Sequence, residues 1–195
     1  MELEPFVFRH EGRLVGMPPQ ARAREDGPEG TEEAGGPETA GADLLAGVNA
    51  FALRPLAPGE FAVFTLDLCH NQVDRHFSRF PDDELPRVST LVPGRPLMER
   101  HDLRGTLPRG TFFRSRLHED GGRISVRPDV YVLRTQENAD FIRNIEGGVY
   151  RETSIGFSFR TPECSVCGRD LRTCDHVPGR TYSGAVCHYV LRGVL

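Results

Sequence analysis

The chain has 195 residues, of which 38% are hydrophobic and 27% charged, and its formal net charge is −4. This composition is typical of a globular protein, contains no run of about 18 apolar residues that could span a membrane, and gives no general attraction to nucleic acid or anionic lipid. All 24 cationic side chains are arginine, which excludes Schiff-base lysines, P-loop lysines and Ser-Lys dyads.

The N-terminal quarter divides into two segments. Residues 1–18 predict a strand or hairpin, and they lack the basic and apolar regions of a secretion signal, so a cytosolic location is expected. Residues 19–47 are rich in Gly, Pro, Glu and Ala and contain no aromatic residue. Such a segment buries too little apolar surface to offset its ordering entropy, and it predicts a disordered acidic linker.

The remaining residues, 48–195, predict one folded domain of the α+β class, mostly β. Apolar alternation predicts a strand over 61–68 and a pair of strands over 111–120 and 122–133, joined by a turn at Glu119–Gly122. Helical spacing and capping residues predict two short helices, at 82–90 and within 137–148. Further strands are predicted over 150–160 and 181–195.

The cysteines form the first chemical signal. Five cysteines, three of them within eleven residues, fit poorly with a disulfide framework and favour metal binding in a reducing compartment. Cys164, Cys167, Cys174 and His176 give the spacing C-x2-C-x6-C-x-H, which predicts a zinc knuckle over 162–179. Four protein donors leave no open position, so the Zn²⁺ is expected to be structural. Cys187 is an alternative ligand, and the alternative to a metal site is a set of free thiols beside a surface histidine. Cys69 is expected in the core.

Ser154 and His101 are the candidate catalytic pair. Ser154 lies in a predicted strand and is followed by Gly156, which allows close backbone approach. Glu152 occupies the place of the first glycine of a G-x-S-x-G elbow, which argues against an α/β-hydrolase. His101 could act as a general base near neutral pH. Taken singly, either residue is more simply a polar side chain of the surface or of a strand.

Three blocks in order resemble the prohead proteases of tailed bacteriophages. They are GRPLMERHD, which contains His101, ETSIGFSF, which contains Ser154, and NQVDRHFSRF upstream, and the similarity covers roughly 61–190. The family is similar in fold to the herpesvirus assemblins. The resemblance therefore implies a small β-barrel with a few helices, interrupted here by the zinc knuckle, and a serine endopeptidase with His101 as base and Ser154 as nucleophile.

The resemblance also implies the biological setting. The expected substrates are phage scaffold and major capsid proteins, cleaved inside proheads in the host cytoplasm. The third catalytic residue is expected either at His188 or beyond Leu195, since the chain ends within a predicted strand as a truncated protein would. No membrane or nucleic-acid partner is expected, and a homodimer is left open. The alternative is a catalytically inactive structural or zinc-knuckle binding component of the phage head.

Overall fold

The computed structural model describes residues 8–16, 37–100 and 105–195. Its strands are β1 Phe8–Gly16, β2 Phe61–Asp67, β3 Cys69–His70, β4 Ser78–Arg79, β5 Pro96–Met98, β6 Pro108–Asp120, β7 Arg123–Leu133, β8 Glu152–Phe157, β9 Thr161–Cys164, β10 Thr181–Tyr182, β11 Ala185–Val186 and β12 Tyr189–Arg192. The α-helices are α1 Pro37–Asn49, α2 Leu85–Leu91 and α3 Ala139–Glu146. The prediction of a mostly β chain is confirmed. None of the described helices has the length and apolar character needed to cross a membrane.

The main sheet has seven strands in the order β5-β6-β7-β2-β1-β8, with β3 also paired to β7. Its longest ladder is the antiparallel β6–β7 hairpin, which turns at Gly121 and Gly122 as the sequence predicts. Both glycines have positive φ, +53° and +81°, a conformation that side chains with a Cβ rarely adopt. The hairpin therefore depends on this glycine pair.

The sheet curls into half a barrel. Leu97 on the edge strand β5 and Ile155 on the opposite edge strand β8 both pack against the same buried cluster. That cluster is built on the face of β2 and β7 that presents Phe64 and Val130, and it extends to Val88 of α2. Curling brings both edges to one core, and it follows from the right-handed twist of strands that bury one apolar face.

The opposite face of β2 carries a second, smaller core. Phe61 and Val63 alternate with the residues of the first cluster, so their side chains lie on the other side of the sheet. Tyr131 of β7 joins them, and α1 covers them with Leu44 and Val48. The two clusters explain why the whole of β2 is buried.

The structure corrects the predicted N-terminal organisation in two places. The C-terminal part of the predicted linker, 37–47, belongs to α1, because Leu44 and Val48 lie four residues apart and form an apolar stripe that the sheet buries. Strand β1 is not a separate element before the domain: it lies within the main sheet, between β2 and β8. The other residues of the linker, 19–36, lie outside the described residues.

A three-stranded sheet, β4-β12-β9, carries the cysteine-rich segment. Strand β12 is parallel to β4 and antiparallel to β9, and its Leu191 is fully buried in the main core. The Glu84 carboxylate accepts the backbone N–H groups of Gly193, at 2.7 Å, and Val194, at 3.3 Å. The C-terminal strand is therefore joined to both the core and the start of α2.

Gly110 provides a test of the sheet packing. A Cβ at this position in β6 would lie 2.4 Å from the carbonyl oxygen of Tyr131 and 2.9 Å from Cγ2 of Val132. Gly110→Ala is expected to reduce the free energy of unfolding by about 1–3 kcal/mol, because the neighbouring strand must move. Urea denaturation measures this change. The control is Gly41→Ala in α1, where a Cβ meets nothing within 4 Å and stability should rise by about 0.5–1 kcal/mol. Equal effects of the two substitutions would contradict the prediction.

Candidate metal centre and serine site

The four predicted metal ligands come together in space. The ligand atoms of Cys164, Cys167, Cys174 and His176 all lie within 4.8 Å of one another. Cys164 is buried, Cys167 is exposed and the other two are half-buried. Neighbouring ligands of a tetrahedral Zn²⁺ are separated by about 3.3–3.8 Å, as follows from its usual bond lengths. A small inward movement would thus bring all four donors onto one ion.

The first pair of cysteines sits on a tight turn at the end of β9. The Gly168 N–H donates to the Cys164 carbonyl at 2.8 Å, and the Cys164 N–H donates to the Arg169 carbonyl at 2.8 Å. Gly168 has φ +69°, which explains the glycine after C-x2-C. The backbone N–H groups of Val166 and Cys167 donate to the Cys164 sulfur. The turn therefore presents both sulfurs on one side and surrounds one of them with N–H donors.

The second pair of ligands is brought back by a turn at Asp170. The Asp170 carbonyl accepts the Thr173 N–H at 3.0 Å, and its carboxylate accepts the Arg172 N–H at 2.9 Å. The His176 ring then packs edge-on against Tyr182, with 4.5 Å between ring centroids. Cys174 and His176 therefore return to the side of the turn where Cys164 and Cys167 lie.

The electrostatics of the turn favour thiolate, the form of cysteine that binds metals. Burial opposes ionisation of Cys164, but the N–H groups of Cys167 and Val166 outweigh it and lower its pKa to about 7. The Arg169 backbone N–H lowers the pKa of Cys167. Burial raises the pKa of Cys174. Cys164 is therefore prepared for ionisation near neutral pH, and ionisation of Cys167 is also favoured.

The residues present fit a metal ion. The Nδ1 atom of His176 is buried and has no hydrogen-bond partner among the described residues, which is costly for a ring nitrogen. A cation bound through Nδ1 would remove this cost. Three sulfurs and one imidazole nitrogen form a donor set that suits zinc. The cluster is therefore a candidate site for a metal ion such as zinc.

Ser154 lies in β8, where it pairs with Glu11 of β1. Its neighbour Ile155 packs into the main core, so strand alternation turns the Ser154 side chain to the opposite face of the sheet. The Ser154 Oγ atom is buried and has no hydrogen-bond partner among the described residues. A buried hydroxyl without a partner is uncommon and calls for an explanation.

His101 falls within residues 101–104, outside the described residues. Glu99 and Gly105, on either side of this segment, both line a groove of about 740 Å³. The groove lies where β6 begins and β7 ends, at the end of the hairpin away from its turn. Arg109 lies in the same groove, where its guanidinium donates to the Glu99 carboxylate at 2.8 Å. Ser154 is not among the lining residues in the described part of the chain. The geometry of the predicted pair therefore stays a prediction.

His188, the predicted third catalytic residue, lies beside the cysteine cluster. Its backbone N–H donates to Ser165 Oγ at 2.9 Å, and its Nδ1 lies 3.2 Å from the Val186 carbonyl oxygen. It lines a cavity of about 350 Å³ together with Cys164 and Gly168. A catalytic role for His188 stays a prediction, and its described contacts belong to the metal-centre segment.

One polar cluster was missed by the sequence analysis. The fully buried carboxylate of Asp129 in β7 accepts hydrogen bonds from Thr65, Arg114 and Arg116. The sequence signal was weak, because Asp129 follows the charged Arg127 and only the run after it, Val130 to Leu133, is apolar. The cluster covers the part of the sheet face that α1 leaves free.

Comparison with known protein families, with curated proteins and with solved structures finds no match to this chain. Its function therefore has to be argued from its own residues.

Proposed function

We propose that this chain is a serine endopeptidase of the phage prohead-protease type, which cleaves scaffold and major capsid proteins during head assembly. Three features support the proposal. The three sequence blocks occur in the order and spacing of that family. The mostly β half-barrel is compatible with an assemblin-like architecture. Ser154, in the ETSIGFSF block, lies in strand β8 of the main sheet.

The observation that carries the proposal is the Ser154 hydroxyl, which is buried without a hydrogen-bond partner among the described residues. An unsatisfied buried hydroxyl costs about 1–3 kcal/mol. Such a cost is understandable where the hydroxyl is kept for chemistry, since a nucleophilic serine needs a base as its partner. In this proposal His101 is that base.

The proposed chemistry is acyl transfer. His101 accepts the proton of Ser154 as the Ser154 oxygen attacks the scissile carbonyl carbon, and it then gives that proton to the leaving amine. Water hydrolyses the resulting acyl-enzyme with the same histidine as base. His188 is the candidate in this chain for the residue that orients the imidazole.

The metal centre has a structural role in this proposal. Cys164, Cys167, Cys174 and His176 would hold Zn²⁺, and four protein donors fill a tetrahedral shell and leave no position for a substrate. When bound, the ion cross-links β9 to the segment before β12. Its contribution is therefore to stability and not to peptide-bond cleavage.

Cleavage of co-expressed phage scaffold and capsid proteins tests the proposal. The chain is expected to cut them, and Ser154→Ala is expected to reduce the rate by at least about 10³-fold. The matched control is Ser125→Ala in β7, which removes another buried, unpartnered hydroxyl and should leave cleavage intact. A fluorophosphonate should label the unchanged chain and the control, but not Ser154→Ala.

A second candidate is a catalytically inactive structural or zinc-knuckle binding component of the phage head. The exposure of Cys167 favours it, because the turn that carries this residue is accessible to a partner protein. In that case the chain neither cuts nor takes the label, while binding to capsid proteins depends on Cys167 and its exposed turn. Cleavage that persists in Ser154→Ala would show that the nucleophile is another residue.

A further inference from the structure

A fourth sulfur, that of Cys187, lies beside the four-donor cluster. The Sγ atoms of Cys187 and Cys164 are 3.8 Å apart, and both side chains are fully buried. The two cysteines are free thiols. Cys187 also lies close enough to Cys174 and Cys167 for their charges to affect it.

The sulfur separation is that of two ligands on one metal ion. A Zn–S bond is about 2.3 Å long, and tetrahedral geometry then places two zinc-bound sulfurs about 3.8 Å apart. The observed distance between Cys187 and Cys164 equals this value. Cys187 therefore needs no further approach to Cys164 to share an ion with it.

The backbone around Cys187 holds it in this place. The Cys187 N–H donates to the Arg180 carbonyl at 2.8 Å, and the Cys187 carbonyl accepts the Gly179 N–H at 2.8 Å. The next residue, His188, is held to the residue that follows β9, since the Ser165 N–H donates to the His188 carbonyl at 3.1 Å. Cys187 thus enters the cluster from a separate, well-anchored segment.

We propose that Cys187 is a fifth donor of the metal centre, and that it and His176 share the fourth coordination position. The inference rests on the proposed metal centre. Cys164, Cys167 and Cys174 bind in both arrangements, and the fourth ligand is either the His176 imidazole or the Cys187 thiolate. Arg169 is hydrogen-bonded to Cys167, and its positive charge offsets part of the extra negative charge of a four-thiolate centre.

The two arrangements have different chemical properties. A centre with three thiolates and one imidazole carries one negative charge with Zn²⁺, and a centre with four thiolates carries two. Soft thiolate ligands also favour soft metal ions. A spare donor lets one ligand replace another without release of the ion, so the centre should tolerate the loss of either donor alone.

Metal titration of the full chain tests this inference, with Co²⁺ as a spectroscopic probe and Zn²⁺ in competition. We expect His176→Ala and Cys187→Ala each to bind one ion with affinity reduced by no more than about 10-fold, and the double variant to lose at least about 10³-fold. The thiolate-to-cobalt absorption of His176→Ala should exceed that of Cys187→Ala by about a third, in proportion to the bound thiolates. Cys69→Ala, a buried thiol of the main core, is the control and should bind as the unchanged chain does.

The outcomes separate the inference from the proposal beneath it. If the unchanged chain binds no metal, the metal centre itself is wrong and the inference fails with it. If the unchanged chain binds one ion, but His176→Ala alone matches the double variant and Cys187→Ala matches the control, the centre stands and the role of Cys187 is wrong. The spectra of the single variants decide this even where the double variant does not fold.

Discussion

Removal of zinc from the loaded protein is expected to lower its melting temperature by about 10 °C. A ligand present at about 1,000 times its Kd stabilises the folded state by about 4 kcal/mol, which corresponds to a shift of roughly 8–16 °C for a chain of this size. The effect should be large because the segment that holds the cysteines has few apolar contacts of its own. Its ends, β9 and β12, connect it to the core.

Calorimetry with and without a chelator measures the shift, and hydrogen exchange locates it. The amides of β9 and β12 should lose protection, while those of β2 and β7 keep it. The double substitution Cys164→Ser/Cys167→Ser, which leaves too few donors even with Cys187, should already have the lower melting temperature, and a chelator should not lower it further. Complete loss of zinc with an unchanged melting temperature would show that the cluster contributes nothing to stability.

Substitution of Asp129 is expected to have the second large effect. The Asp129 side chain is fully buried, whereas Arg114 and Arg116, which bind it, are 38% and 49% exposed. Removal of one partner of a buried ion pair costs about 3–5 kcal/mol. Both arginines can regain contact with water, so Asp129→Ala should reduce the free energy of unfolding by about 3 kcal/mol, at the lower end of this range. Thr65 also loses the acceptor of its hydroxyl.

Urea denaturation of Asp129→Ala tests this value against a surface pair. The control is Asp83→Ala, whose carboxylate lies 2.8 Å from Arg192 and is 73% exposed, and it should cost less than about 1 kcal/mol. If the two variants are equally stable, the buried cluster is not a stabilising feature of the sheet. If only Asp129→Ala loses stability, the buried cluster has the role of joining β2, β6 and β7 on the face that α1 leaves free.

Local patterns in the sequence predicted most of the secondary structure. The β6–β7 hairpin follows from two apolar runs around Gly121 and Gly122, and its turn was predicted at the observed place. Helix α3 follows from Ile142 and Ile145, whose spacing suits one buried helical face. These signals are local, since each depends on residues a few positions apart, and they are therefore visible without any knowledge of the fold.

The linker prediction failed where a local signal was weak and a tertiary one was strong. Residues 37–47 are rich in glycine, alanine and polar residues, and their few apolar side chains do not form a core alone. Leu44 and Val48 become buried only because Phe113 and Tyr131 offer an apolar face. A helix that depends on such a partner cannot be recognised from its own composition.

The sequence by itself determined the donor set of the metal centre, because C-x2-C-x6-C-x-H lies within thirteen residues and local turns bring these residues together. It also determined the candidate nucleophile, Ser154, through its resemblance to a family. Only the tertiary structure decided that β1 lies against the strand of Ser154, and that Cys187 lies 3.8 Å from Cys164 across 23 residues of chain. The first is a strand pairing, and the second joins β9 to Cys187, which lies just before β12. Their register depends on how distant segments share one core, and no local pattern encodes that.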